Sequence, residues 1–514
     1  MKVLNKRFIL SLFLAFLCFN ISYSAYSMLV DTETKKTTLS DYLLNNQVKY
    51  SANTEIVDLK DLRLADVKGI SKVKVKDSEL NSEFIDLKDI NRCSLMISNN
   101  LLVIIDKDIK DLKNLYCLDL CSNKINSLPE EFQYLIFLEI LNLSNNKIYA
   151  FPAVITTLNS LKILNLSNNF LESLPDSISD LKNLEKLDLS YNKIKELPKK
   201  FFELESLQEL LLSNNKISKL SKKTKFLINL RILDLDSNNL ETIKNLEQLS
   251  KLQVLVLSNN NLQKIDDLQG LSNLVVLILK NNKITSIDCI LSLNNLKCVD
   301  LENNYISTIS QDINALSKLR ELNLAYNKIE EMPNLNLTKL TLLDISNNQL
   351  KDLNLLNLIK LESLILKNNQ FKVWPSNLKL LKKLRTLDMS FNELDNIPKD
   401  VETLKKIRQM NFIGNKIKSI HCNLRNLKNL NYIYLLSNPI SKLLFYMFNQ
   451  DSQKYQEKLK QEFRDAFAVL YNLYQKKVLY FYFFDDLPLE EIEKLPVEIR
   501  KIILGYFCML YQKN

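Results

Sequence analysis

The sequence predicts an α/β solenoid, an arc of stacked repeats with a parallel β-sheet on its concave face, plus a C-terminal helical module. Three observations lead there. From residue 115 one pattern, Leu-x-x-Leu-x-Leu-x-x-Asn-x-Ile/Leu-x-x-Leu/Ile, returns every 21 to 23 residues. Inside each copy the Leu-x-Leu pair has the two-residue period of a strand, both leucines facing one side and the residue between them the other. After Leu443 the pattern stops, and helix formers and aromatics take over. At 514 residues the chain is too long for one compact core, and a repeat array carries such length without one.

Residues 1–27 have the three parts of a secretory signal: a basic start (Lys2, Lys6, Arg7), an apolar stretch from Phe8 to about Ile21, and a small-residue exit through Ser22, Ser24, Ala25 and Ser27. The apolar stretch is shorter than the roughly 20 residues of a membrane helix. Cleavage is expected, with an uncleaved anchor as the alternative, and no stable membrane span remains afterwards. Cys18 follows Leu17 where lipid attachment wants a small residue, so a lipid anchor is not expected. Cleavage takes the formal charge from +10 to +7, because three basic and no acidic residues leave. Lysines are spread along the chain and form no single block, which suits a solvated surface and not nucleic-acid or membrane binding.

Residues 28–91 lack the leucine pattern and are expected to form an N-terminal cap. Within them Lys72-Val73-Lys74-Val75-Lys76 alternates charge with apolar residues, as an edge strand does when lysine discourages further pairing. The cysteines left after cleavage, Cys93, Cys117, Cys121, Cys289, Cys298, Cys422 and Cys508, are odd in number and not clustered at disulfide-cap or zinc spacing. Cys117 and Cys121 lie on one expected strand, about 13 Å apart, too far to bridge within it. Export without a disulfide framework fits a bacterial protein, periplasmic or secreted, with delivery into a reducing host cell as the further alternative.

Residues 92–443 carry the repeat. The first clear copy runs Leu115, Leu118, Leu120, Asn123, Ile125, Leu128, Pro129, and the asparagine returns through Asn146, Asn169 and onward to Asn438, giving fifteen copies. A degenerate one precedes them around Leu95, Ile97 and Asn100. Each asparagine falls where the chain leaves its strand, and its amide is expected to satisfy backbone groups buried by the turn, as a ladder from repeat to repeat. One copy cannot bury its own leucines. Stacking does, and fifteen strands ~4.8 Å apart give an arc about 70 Å long.

This pattern resembles the leucine-rich-repeat family over about two thirds of the chain. Copies of 23 residues with Leu-Pro after the turn (Leu128-Pro129, Leu174-Pro175, Leu197-Pro198) resemble intracellular Ras-binding and bacterial effector repeats, and the 22-residue copies from about 252 to 318 resemble internalin-type repeats. The resemblance implies a protein partner and no chemistry.

Outward strand positions fall two, four and six residues after the first leucine of each copy. Early copies offer small polar residues there, among them Asn142, Ser144, Asn165, Ser167, Asp188 and Ser190. The middle copies offer Leu211, Ile232, Val254, Val256, Val276 and Ile278, edged by Asp234, Asp236, Lys280, Asp300, Glu302 and Lys367. In register, these side chains are expected to make a contiguous exposed apolar patch, the mark of a partner surface; the alternative is plain β-propensity. A second group, Ile413, Tyr432, Tyr434 and Leu436, lies where the C-terminal module would dock.

Residues 444–514 are the expected helical module. Near its end Leu495, Pro496, Glu498, Ile499, Ile503, Leu504, Tyr506 and Phe507 match the opening of an F-box, Leu-Pro-x-Glu-Leu/Ile followed by Ile-Leu-x-Tyr-Leu. That resemblance implies docking on a Skp1-type adaptor, and with it an effector-type substrate adaptor recruiting a host ubiquitin ligase. The match spans 13 residues, and a complete F-box would run on further. The alternative is an amphipathic helix that closes the end of the solenoid.

No catalytic, cofactor or metal site is expected. The glycines, Gly69, Gly270, Gly414 and Gly505, spell neither a phosphate loop nor a dinucleotide fingerprint. The single histidine, His421, is the chain neighbour of Cys422, and adjacent residues in a turn seldom face each other. The expected reading is therefore a non-enzymatic scaffold that binds a protein through its concave face.

Overall fold

The strands of the long sheet recur once per repeat and pair only with the repeat before and the repeat after. The computed structural model describes residues 93–440 apart from 423, with shorter stretches at 50–51, 56–61, 64, 74–76 and 84–86. The expected signal, most of the expected cap, and residues 444–514 with the F-box-like segment lie outside the described residues. Among the described residues an 18-stranded sheet runs from Tyr50–Ser51 to Tyr432–Tyr434. Its first pairing, Tyr50–Ser51 with Ile56–Asp58, is antiparallel, and the pairings that follow are parallel.

The inward leucines of each strand, such as Leu141 and Leu143 or Leu277 and Leu279, have no solvent exposure. They meet the middle residues of short 3-10 helices on the back of the repeat: Ile155 in Ala153–Thr157 and Ile178 in Asp176–Asp180 are equally buried. Where Phe-Pro or Leu-Pro occurs, Pro152 and Pro175 stand directly before those helices with φ of −68° and −75°, values the pyrrolidine ring presets. One apolar core therefore runs the length of the array.

What holds one repeat on the next is the asparagine. In Asn282, Nδ2 donates to Leu257 O of the preceding repeat (2.9 Å) and to Leu279 O and Lys280 O of its own (3.0 and 3.2 Å), while Oδ1 accepts from Leu262 N of the preceding repeat (3.0 Å). The same arrangement is present from Asn100 to Asn438. These side chains are buried, as the expected ladder requires. The residue before each one adopts a left-handed conformation, and wherever it is not glycine, from Asn99 to Ser437, its φ lies between 52° and 58°. Asparagine tolerates this at modest cost, and it fills most of these positions. Gly414, at φ 67°, takes the same place in its repeat, and a Cβ there would stand 2.7 Å from Cδ1 of Phe391, which occupies the equivalent position one repeat earlier.

At its N-terminal end the sheet begins before residue 92. Ile56–Asp58 pairs in parallel with Cys93–Met96, setting Val57 opposite Leu95. Leu59 and Leu64 are buried in the common core, and Asn100 reaches back to both, with Nδ2 to Leu59 O at 2.9 Å and Oδ1 from Leu64 N at 3.0 Å. Within residues 28–91, the expected cap, a strand and turn thus stand in line with the repeats that follow. The repeat pattern is not legible there because the sequence has leucine, at 62, where the spacing calls for asparagine. Lys74–Lys76 pairs antiparallel with Phe84–Asp86 in a separate two-stranded sheet.

Two substitutions test this architecture. Asn282→Ala strands a buried amide N–H and carbonyls in two repeats, and chemical unfolding is expected to show a loss of about 3 kcal/mol; a loss under about 1 kcal/mol would mean that the ladder is not what joins the repeats. Gly270→Ala would place a Cβ 1.9 Å from Glu247 O, backbone that cannot swing aside. Its thermal midpoint is expected to fall by several degrees, more than for an alanine at any exposed back position.

Candidate recognition face of the sheet

Side chains opposite the core form columns that run across the repeats. Ile232, Val254 and Val276 are register partners, and so are Asp234, Val256 and Ile278 one pleat further on. Leu211 stands beside Asp234, and Asp300 beside Ile278. Lys280 and Glu302, in the next column, form an ion pair of 2.9 Å. The residues singled out in the middle copies are therefore one patch. Its exposure differs from expectation: Val254 and Val256 are only 8% and 7% exposed, and Leu211, Ile232, Val276 and Ile278 are half-buried. Strands ~4.8 Å apart place a branched side chain on either side of each valine, and the neighbours cover one another before any partner arrives. The patch is a recessed apolar floor.

Several of the acidic residues that edge it are turned inward upon the fold. Asp234 Oδ1 accepts from Asp236 N (2.9 Å) and Asp300 Oδ1 from Glu302 N (3.0 Å), closing the turn at the end of each strand. Asp119, Asp188, Asp344 and Asp388 do the same, and Asn142, Asn165, Asn323 and Asn411 substitute for them with an amide oxygen. This second ladder was missed in the sequence because a polar residue at an outward position reads as surface. Burial pushes the Asp234 carboxyl up to about 6, with the charges of Asp236 and Asp188 adding to the rise against the hydrogen bond from the Asp236 amide. Burial raises Asp188, Asp300 and Asp344 as well.

The first outward column also carries apolar residues in the early repeats. Cys117, Ile140 and Ile163 are register partners, continuing to Lys186 and Glu209, which form an ion pair of 2.6 Å, and then to Ile232. The apolar stripe is thus longer than the middle copies alone suggest, and one ion pair divides it. Lys367 lies over the Phe391 ring, 5.5 Å from its centre, and Tyr432 and Tyr434 stack with their planes 9° apart, near Ile413 and Leu436 at the end of the sheet.

His421 and Cys422 follow Ser419–Ile420, a strand of a separate two-stranded sheet. Cys422 is buried, burial pushing its thiol up to about 12, and the imidazole of His421 lies 3.0 Å from Ser419 Oγ. Among the described residues no group of three or more His, Cys, Asp or Glu is placed to hold a metal ion, and no helix is long and apolar enough to cross a membrane.

A family model for a leucine-rich repeat region matches residues 89–189 and 155–267, one for two copies of the leucine-rich repeat matches 250–288, and one for the leucine-rich repeat matches 272–329. No curated protein sequence matches the chain. Among solved structures, a leucine-rich-repeat protein of Leptospira interrogans is 34% identical, with a TM-score of 0.66 over 70% of this chain and 94% of that one. The functional domain of InlJ from Listeria monocytogenes, 23% identical, shares the fold with a TM-score of 0.57 over 71% and 73% of the two chains. The Arabidopsis receptor kinase HAESA, solved with the peptide hormone IDA and the co-receptor SERK1, is 25% identical with a TM-score of 0.52 over 69% and 67%.

The raised carboxyl gives a test of how buried this face is. Asp234 holds its proton more tightly when folded, so its contribution to stability is complete below the ordinary carboxyl range near 4 and is lost as pH rises through about 6. Asparagine, already present at equivalent positions, accepts the same backbone hydrogen bond without the charge. Asp234→Asn is expected to raise the melting temperature at pH 7.5 and to leave it nearly unchanged at pH 4. A variant that melts lower than the parent at pH 7.5 would refute the buried-carboxylate account.

Proposed function

The chain belongs to the leucine-rich-repeat protein family, and from that premise we propose that it is a non-enzymatic recognition scaffold that holds a protein partner against the concave face of its sheet. The observation that carries this reading is the apolar floor of Ile232, Val254, Val276, Val256 and Ile278, flanked by the Lys280–Glu302 pair. The core is complete beneath it, and Ile232, Val276 and Ile278 keep apolar surface half-open to solvent, as a partner surface does. A recessed floor suits a partner that inserts a ridge, such as an extended segment whose alternate side chains reach down between the columns. HAESA, at similar fold, was solved with a peptide hormone bound.

The basic and apolar start of the chain supports export, to the periplasm or beyond the cell, with delivery into a host cell as one destination. A second reading rests on Leu495, Pro496, Glu498, Ile499, Ile503, Leu504, Tyr506 and Phe507. If they act as an F-box, the sheet selects a substrate and the C-terminal segment recruits a Skp1-type adaptor.

One capture experiment separates the two. Residues 28–514, the same chain ended at residue 486, and Ile232→Ser/Val276→Ser/Ile278→Ser are used as baits in eukaryotic lysate. The face reading expects a partner retained by the truncated chain and lost, at unchanged melting temperature, by the triple variant. Recovery of a Skp1-type adaptor by the full chain only would establish the adaptor reading. A partner indifferent to the triple variant would remove the sheet face from consideration.

A further inference from the structure

Basic residues that look scattered in the sequence are gathered by the fold onto one edge of the last repeats. Lys360, Lys382, Lys383, Lys405, Lys406 and Lys428 occupy the turn just ahead of the first core residue of successive repeats (Leu361, Leu384, Ile407 and Leu430), and each is exposed. Hydrogen bonds hold these turns side by side: Asn429 Nδ2 donates to Lys405 O at 2.7 Å, and Thr403 Oγ1 to Lys379 O at 3.2 Å. At the strand entry beside them Arg408 N donates to Arg385 O at 2.8 Å, which brings two exposed guanidinium groups to the same edge. Of these cations only Arg385 has an ion pair among the described residues, to Glu362 at 3.1 Å. Neighbouring repeats lie ~4.8 Å apart, within a Debye length of about 8 Å at physiological salt, so the charges act on a ligand together.

The edge has a second component. Leu356 and Ile359, 50% and 52% exposed, sit on the turn that carries Lys360. Aliphatic side chains standing in water amid lysines that have no ion pair among the described residues are unfavourable for a surface whose task is solubility. They fit a partner that offers anions at one depth and hydrocarbon just behind them. A nucleic acid would favour aromatic rings for base stacking and arginine for bidentate phosphate contacts, whereas here lysine dominates and the apolar neighbours are aliphatic.

We propose that this edge docks on an anionic phospholipid bilayer, with the lysines on the headgroup phosphates and Leu356 and Ile359 at the acyl-chain boundary. Such docking is peripheral and needs no spanning helix. It leaves the sheet face free, so its failure and the failure of the partner reading are independent.

Co-sedimentation of the full chain with large vesicles tests it, comparing phosphatidylcholine alone with a phosphatidylcholine and phosphatidylglycerol mixture at physiological salt. Binding to the mixture is expected to be at least about tenfold stronger. Lys382→Glu/Lys383→Glu/Lys405→Glu/Lys406→Glu should abolish it. Lys124→Glu/Lys147→Glu/Lys216→Glu/Lys283→Glu makes the same change in net charge on a different edge and should retain it. Leu356→Ser/Ile359→Ser should weaken binding several-fold. Equal binding to both vesicle types, or equal loss in the two charge-reversed variants, would overturn the proposal. So would full binding by Leu356→Ser/Ile359→Ser together with competition by a single-stranded oligonucleotide, which would mark the edge as a generic polyanion surface.

Discussion

The arrangement depends on a buried amide that belongs to two repeats at once. A repeat has too few residues to enclose its own leucines, so each must present an apolar side to the next, and the turn that ends its strand is then cut off from water. Without a partner for the backbone groups in that turn, burial would cost as much as it returned. Asn282 and its equivalents solve this with one side chain that donates to the preceding repeat and to its own and accepts from the preceding one. Register follows from it. A repeat slipped by one residue along its neighbour would lose both the amide contacts and the match of leucine to leucine.

Much of this was legible because the constraint acts on residue identity. Only asparagine has donor and acceptor at the required reach, and only large aliphatics fill the core, so the period of 21 to 23 residues, the strands and the ladder could be read directly. Where identity is less constrained, the sequence was less informative. The strand Ile56–Asp58 was hidden because the sequence that follows it has leucine, at 62, where the spacing calls for asparagine. The acceptor role of Asp234 and Asp300 was hidden because aspartate at an outward position looks solvated. The depth of Val254 and Val256 depends on what flanks them on adjacent strands, 22 residues away in the chain, and the pattern within one copy does not contain it. The early apolar column of Cys117, Ile140 and Ile163 could have been found by reading position two of every copy alongside positions four and six.

The same distinction between chain distance and spatial distance governs charge. A solenoid converts a residue placed once per repeat into a line of such residues about 5 Å apart. Lysines that never exceed two in a row, as at Lys382-Lys383 and Lys405-Lys406, thereby become one basic edge. Compositional scans along the chain average this away, since they weigh neighbours in sequence and not neighbours across the stack. In repeat proteins the informative unit for surface properties is the column.

The ladder also separates the parts of a repeat that can change length from those that cannot. Each asparagine reaches a carbonyl 26 residues back at Asn169, 25 at Asn260 and 24 at Asn348, always at 2.9 Å. The residues gained or lost lie on the back of the repeat, while strand, turn and asparagine stay in step. Insertions and deletions behind the sheet can therefore accumulate over evolutionary time without disturbing the side chains displayed in front. Substitutions in front can equally change a ligand without touching the scaffold. The molecule is in this sense two heritable surfaces joined by one amide per repeat, each free to diversify at its own pace.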